Sequence, residues 1–205
     1  MGKSHMEKSL LVGNAWKHFK TITHHKYLVA QGCFQVGLYW QGLLHDLSKY
    51  SPGEFMAGVR YYQGTRSPNN AEREAKGYSA AWLHHKGRNR HHFEYWVDYS
   101  LEEKPGIMAP VPMPSHCIVE MFMDRIAACK VYQGERYTDA SPLEYYNRGT
   151  IRAPLHPDTR KKLERLLKML AEKGEQETFA CIRRELAHAR SAKKRGRVHG
   201  LIKKF

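Results

Sequence analysis

The chain has no apolar run of membrane-spanning length and no Cys-x-x-Cys pair. The first absence removes a transmembrane helix, which needs about 20 mostly apolar residues in succession. The opening residues also lack the basic–apolar–small order of a secretory leader. A cytoplasmic location with no membrane partner is therefore the expectation. The second absence leaves Cys33, Cys117, Cys129 and Cys181 without zinc-ribbon or redox spacing. Each sits among apolar neighbours, where a reduced thiol behaves as a small buried hydrophobe. A Gly-Lys-Thr phosphate loop is missing too. Aspartate is absent from residues 159–205, which hold fifteen Lys or Arg against five Glu, a net +10. The rest of the chain contributes only +4 of the total +14, so the positive excess is a property of the C-terminal quarter.

Alternating strand patterns and repeats are also lacking, and almost every segment reads as helix. An all-α fold is expected. Helical spacing covers Leu10 to Phe19, then a segment that Thr23 could cap, then Val36 to Leu47. Tyr50-Ser51-Pro52-Gly53 breaks the pattern, with Ser51 as cap and Pro52 at the first helical position of the next helix. Residues 63–70 read as a loop, Ala71 to His85 as a helix, and His91 to Tyr99 as a short aromatic-rich helix. Four prolines make residues 101–114 an extended linker. Ser115 is expected to cap a strong helix through Val131, and Pro142 and Pro157 to open two more. The helix from Pro157 should end at Gly174, with a last one over 176–192. The first six residues read partly as an appended leader. The predicted organisation is a helical domain over 7–150 and a basic helical extension and tail over 151–205.

Chemistry is concentrated where histidines cluster. Leu-Leu-His-Asp-Leu-Ser-Lys, residues 43–49, sets a nitrogen, a carboxylate and an amine (His45, Asp46, Lys49) together at the end of an apolar segment. Further doublets stand at His24-His25, His84-His85 and His91-His92. One helix face offers only one or two ligands, so a metal site on helices needs several of them to converge. Asp124, flanked by Met123 and Ile126, is costly to bury unless a cation or donor satisfies it. Val29 lies four residues after His25 and shares its face, which favours His25 over His24. Within the other doublets the ligand is not fixed. His85 and His91 are preferred, and the second imidazole of each, His92 included, could support a ligand or meet substrate. His18, His156, His188 and His199 read as surface histidines, and Tyr61, Tyr62, Tyr95, Trp96 and Tyr99 as core.

The order His25, His45-Asp46, Asp124, with Lys49 three residues after the pair, resembles the signature of the HD-domain superfamily of metal-dependent phosphohydrolases. The resemblance covers about residues 20–135. It implies an HD-type helical bundle in which those four residues bind a divalent metal and Lys49 contacts substrate phosphate. Members with a second metal carry further histidines between the pair and the final aspartate, the interval that holds His85, His91 and His92. The expected function is hydrolysis of a phosphate ester, a nucleotide or related small molecule. Asp46 would bridge two metals (Fe, Mn, Zn, Co or Mg are not distinguished), and Lys49, Arg88 and Arg90 would neutralise phosphoryl charge. Two alternatives stand beside it: a di-iron oxygenase on the same scaffold, and a nucleic-acid or other polyanion contact at the basic C-terminus.

Overall fold

A long helix, α1 (Gly2–Gln35), runs through both segments that the sequence separates at Thr23. The computed structural model describes residues 2–100, 108–148 and 154–202, and side chains only within 9–192. Thr23 caps nothing; its hydroxyl pairs with the Tyr50 hydroxyl at 3.0 Å. After a turn at Val36–Leu38 come α2 (Tyr39–Leu44), a 3-10 turn (Leu47–Tyr50) and α3 (Pro52–Arg60), which starts at Pro52 behind an extended Ser51 as expected.

The single helix expected over 71–85 is two, α4 (Pro68–Lys76) and α5 (Ala80–Lys86). Gly77 ends the first in the left-handed region, and the Ser79 hydroxyl caps the second by accepting from the Trp82 amide. Residues 91–99 depart further from the expected helix. A 3-10 turn (Phe93–Tyr95) leads into β1 (Val97–Tyr99), which pairs antiparallel with β2 (Met108–Pro110), Asp98 opposite Ala109. Aromatic and β-branched residues suit a ribbon as well as a helix, and Tyr95 and Tyr99 are exposed rather than core. The expected linker at 101–114 thus contains β2, and its residues 101–107 lie outside those described.

Helix α6 (Ser115–Gln133) follows, with Pro114 in the cap position that the sequence suggests for Ser115. Then come α7 (Ser141–Arg148) and α8 (Pro157–Ile202). Gly174 interrupts α8 at φ 78°, ψ 175°, a conformation open to glycine without steric cost. There α8 folds back, so that Glu185 meets both Arg165 at 2.7 Å and Lys162 at 3.8 Å. A straight helix would put residues twenty apart at about 30 Å.

The core forms where α1, α6 and both arms of α8 meet. Val29 and Cys33 of α1 pack with Phe122, Met123 and Ile126 of α6 and with Leu163, Leu167, Leu170, Phe179 and Ile182 of α8. Cys33, Cys117 and Cys129 are buried free thiols, as expected. Helix α3 crosses α1 closely at Gly58, where a Cβ would overlap the His18 imidazole. His18 is therefore a buried residue under Phe55 and Tyr62, not the surface histidine its polarity suggests. No helix among the described residues is long and apolar enough to cross a membrane.

Candidate metal centre

The His45-Asp46 pair lies just past the end of α2 rather than on a helix. His45 has extended backbone, and Asp46 sits in the left-handed region at φ 54°, the one non-glycine residue with positive φ among those described. Aspartate tolerates that region better than most residues, yet it still carries strain. The turn aims the Asp46 carboxylate inward, where it is buried at 2% exposure.

Its two oxygens face different partners. Oδ1 lies 3.2 Å from His85 Nε2 and 3.3 Å from His91 Nε2. Oδ2 lies 3.3 Å from His45 Nε2, 3.7 Å from His25 Nε2 and 2.6 Å from Lys49 Nζ. Asp124 closes the second side, its Oδ1 at 2.9 Å from His25 Nε2 and 3.7 Å from His45 Nε2. Two ligand sets share Asp46, each with donor atoms within 4.8 Å of one another: His25, His45, Asp46 and Asp124, and Asp46, His85, His91 and His92; a third grouping joins His45 and His91 to Glu120. All seven residues singled out as metal ligands thus meet around one carboxylate. They arrive from α1, the end of α2, α5, the turn after it, and α6.

The inward atoms of these sets are short of hydrogen bonds. The Nε2 atoms of His25, His45, His85, His91 and His92, and both Asp46 oxygens, are buried without a hydrogen bond of acceptable geometry. An unsatisfied buried group costs about 1–3 kcal/mol, and apart from Asp46 Oδ2, which Lys49 meets at 2.6 Å, and His25 Nε2, which Asp124 meets at 2.9 Å, these atoms are left for a ligand. A divalent cation suits imidazole nitrogens and carboxylate oxygens, and the residues fit one. Asp124, moreover, does not pair with its helix neighbours: Lys130 binds Glu175 at 2.6 Å, and Arg125 lies over the Tyr146 ring.

The far side of the imidazoles is held by carboxylates that the sequence reading passed over. Glu120 Oε1 accepts from His45 Nδ1 at 3.0 Å and faces His91 Nδ1 at 3.2 Å. Glu54 Oε2 accepts from His85 Nδ1 at 2.9 Å, while its other oxygen takes His84. Donation from Nδ1 leaves each Nε2 lone pair pointing at the centre. Glu120 stands one helical turn before Asp124, and that spacing was the available signal. Nothing comparable marked Glu54.

Electrostatics follow from four carboxylates gathered in one buried place. Burial would raise the Asp46 carboxyl, but the adjacent His45 ring and the Lys49 ammonium outweigh it and hold it well below the usual range. For Asp124, burial is likewise overcome by the close imidazoles of His25 and His45, which hold its carboxyl well below the usual range. Burial opposes charge on Lys49, yet Asp46 and Asp124 keep it firmly protonated. Burial and the neighbouring His91 and His85 push His92 well down.

A cavity of about 370 Å³ opens beside the centre, lined by His25, Lys49, His85, His92 and Asp124. Its guanidinium groups are Arg66 and Arg125, not Arg88 and Arg90. Arg88 is exposed, with a long contact to the His84 carbonyl at 3.5 Å. Arg90 stacks over Trp96 with 5.0 Å to the ring centroid. Between them, Asn89 Nδ2 donates to the His85 carbonyl at 2.8 Å and to Ser48 Oγ at 2.9 Å. Those two arginines thus stand apart from the place where they were expected to act.

Fold and site together define an all-α protein with a buried histidine–carboxylate cluster. The chain belongs to a family of unknown function, DUF5662, whose model matches residues 14–169 and so spans every residue of the cluster. No curated protein and no solved structure matches it.

Proposed function

We propose that the protein is a metal-dependent hydrolase of phosphate esters, of the HD type its sequence resembles, acting on a nucleotide or related phosphorylated small molecule. One observation carries the reading: the two oxygens of Asp46 face separate groups of buried imidazoles whose Nε2 atoms make no hydrogen bond of acceptable geometry. His25, His45, Asp46 and Asp124 would hold one divalent ion, and Asp46, His85, His91 and His92 a second. Bound there, the ions supply a water acidified toward neutral pH and neutralise phosphoryl charge.

The remaining work falls to the chain. Lys49, with Nζ 2.6 Å from Asp46 Oδ2, sets a fixed ammonium at the edge of the centre for a phosphoryl oxygen. Arg125 lines the same cavity with a buried Nε that has no hydrogen-bond partner, an available donor for a second oxygen. Trp82, Phe93, Met121 and Tyr132 give the cavity an apolar wall for the rest of the molecule. Glu120 and Glu54 fix the ring orientations.

The test is metal analysis of protein purified without chelator, followed by phosphate release from a panel of nucleotides and small phosphate esters with Mn or Co. Two equivalents of metal and turnover are expected, both lost in Asp46→Ala. Metal-loaded protein that releases phosphate from no panel member sinks the hydrolase. A second reading is favoured by the three imidazoles grouped with Asp46, a set that suits iron equally. Oxygen consumption by iron-loaded protein lacking phosphatase activity would select a di-iron oxygenase. Separately, the groove on α8 lined by Arg160, Lys161, Lys168 and Lys173 is proposed as a nucleic-acid or polyanion contact. Such binding should weaken steeply with salt and be lost in Lys161→Glu/Lys168→Glu.

A further inference from the structure

Helix α1 is apolar on two faces, and only one of them is covered. Its inner face, with Ile22, Val29 and Cys33, is buried. A second stripe, Val12, Trp16, Phe19 and Tyr27, recurs at intervals of three, four and eight residues and is left open, with Trp16 59% exposed. The stripe does not stop where α2 docks. Gly42 of α2 sits so close to Ala30, Cys33 and Phe34 of α1 that a Cβ would have only 3.0–3.1 Å, and this contact carries the apolar surface onto the outer side of α2. There Trp40 is 72% exposed, with Leu43 and Leu44 beside it. Ring contacts stiffen both ends: Trp16 stacks on Phe19 at 5.9 Å, and Phe34 meets Tyr39 at 5.5 Å.

The charge around this stripe has one sign. Residues 8–45 contain four lysines and not one aspartate or glutamate. Lys20 lies over the Trp16 ring at 5.0 Å, and Arg190 reaches the Gly37 carbonyl at 2.6 Å, just before α2. A second copy of the chain would bring the same cationic face against itself. Tryptophan and tyrosine flanked by lysine along a helix suit the headgroup level of a bilayer, where the rings bury and the amines remain with anionic lipid. The lack of a spanning helix does not bear on a helix that lies flat.

We propose that the outer face of α1 and α2 docks on an anionic lipid surface, with Trp16 and Trp40 inserted among the headgroups. The proposal is independent of the chemistry at Asp46. It is tested by co-sedimentation of the full chain with phosphatidylcholine vesicles with and without 30% phosphatidylserine. Binding to the anionic vesicles is expected, at least tenfold weaker to the neutral ones. It should also fall at least tenfold in Trp16→Glu/Trp40→Glu and in Lys17→Glu/Lys20→Glu, with the far-UV dichroism of both variants unchanged. No binding to anionic vesicles overturns it. So does binding that both variants retain but that deletion of residues 193–205 abolishes, which would assign the effect to the basic tail. A solution dimer that Trp16→Glu/Trp40→Glu dissociates, with no lipid partition in the wild type, would give the face to a second copy. Lipid-free capture of an acidic helical peptide, with no vesicle binding, would give it to a protein.

Discussion

Removing the Glu120 carboxylate should weaken both ligand sets at once. One oxygen, Oε1, holds His45 Nδ1 at 3.0 Å and His91 Nδ1 at 3.2 Å, and these imidazoles belong to different sets. Loss of such an outer partner costs about 10–100-fold in metal affinity, or roughly 1.4–2.7 kcal/mol per site. At metal concentrations of about 1,000 Kd each site stabilises the fold by about 4 kcal/mol, and a 100-fold weaker site by only about 1.4 kcal/mol. The difference corresponds to a metal-induced melting shift smaller by roughly 5–10 °C per site in a chain of this size. The assay is a chelator-competition titration of wild type, Glu120→Ala and Glu54→Ala, with metal counted by mass spectrometry and melts recorded with and without metal. Glu120→Ala is expected to lose affinity at both sites, and Glu54→Ala only at the site containing His85. Wild-type affinity at both sites in Glu120→Ala, or loss confined to one, would refute the shared-support argument.

Arg125→Ala is expected to raise KM for an accepted phosphorylated substrate about tenfold or more, the loss of one charge-assisted donor, while Arg88→Ala leaves it unchanged; steady-state kinetics on the two variants decide it. His18 gives a pH dependence. Burial, then the charge of Lys49, lowers its pKa from 6.5 to about 4, so below pH 6.5 the unfolded chain takes up a proton that the folded chain refuses. Stability must fall as pH drops through that window, and His18→Leu should flatten the fall; parallel melting curves for the two proteins between pH 7.5 and 5 would contradict this. Gly58→Ala should destabilise by about 1–3 kcal/mol through overpacking against His18, measured by urea denaturation, and a neutral result would mean α3 can slide away from α1.

The sequence made the convergence of the ligands legible because costly residues recur in apolar settings. A His-Asp pair ending an apolar segment, and Asp124 between Met123 and Ile126, are expensive unless they face one another. Glu120 and Glu54 were harder to see, since a glutamate on a helix usually reads as a wetted side chain. Their role depends on which imidazole atom lies behind them, and spacing does not encode that. The anion-binding expectation went to Arg88 and Arg90 by proximity along the chain, whereas Arg66 arrives at the cavity from a loop and Arg125 from α6. Residues 91–99 misled because aromatic composition does not separate a ribbon from a helix. That its partner, Met108–Pro110, lay within a proline-rich stretch hid the pairing further.

The scattered origin of the centre has a consequence for the order of events in folding. His25 and Asp124 stand almost a hundred residues apart, and His45, His85 and His91 fall between them. None of these segments can present its donor correctly until α1 and α6 have packed, and that packing also recruits both arms of α8. Closing loops of this length is slow and entropically expensive. A nascent chain therefore has fragments of the cluster but no assembled site, and a metal taken up there would bind at the last stage of assembly, as a lock on a fold already made.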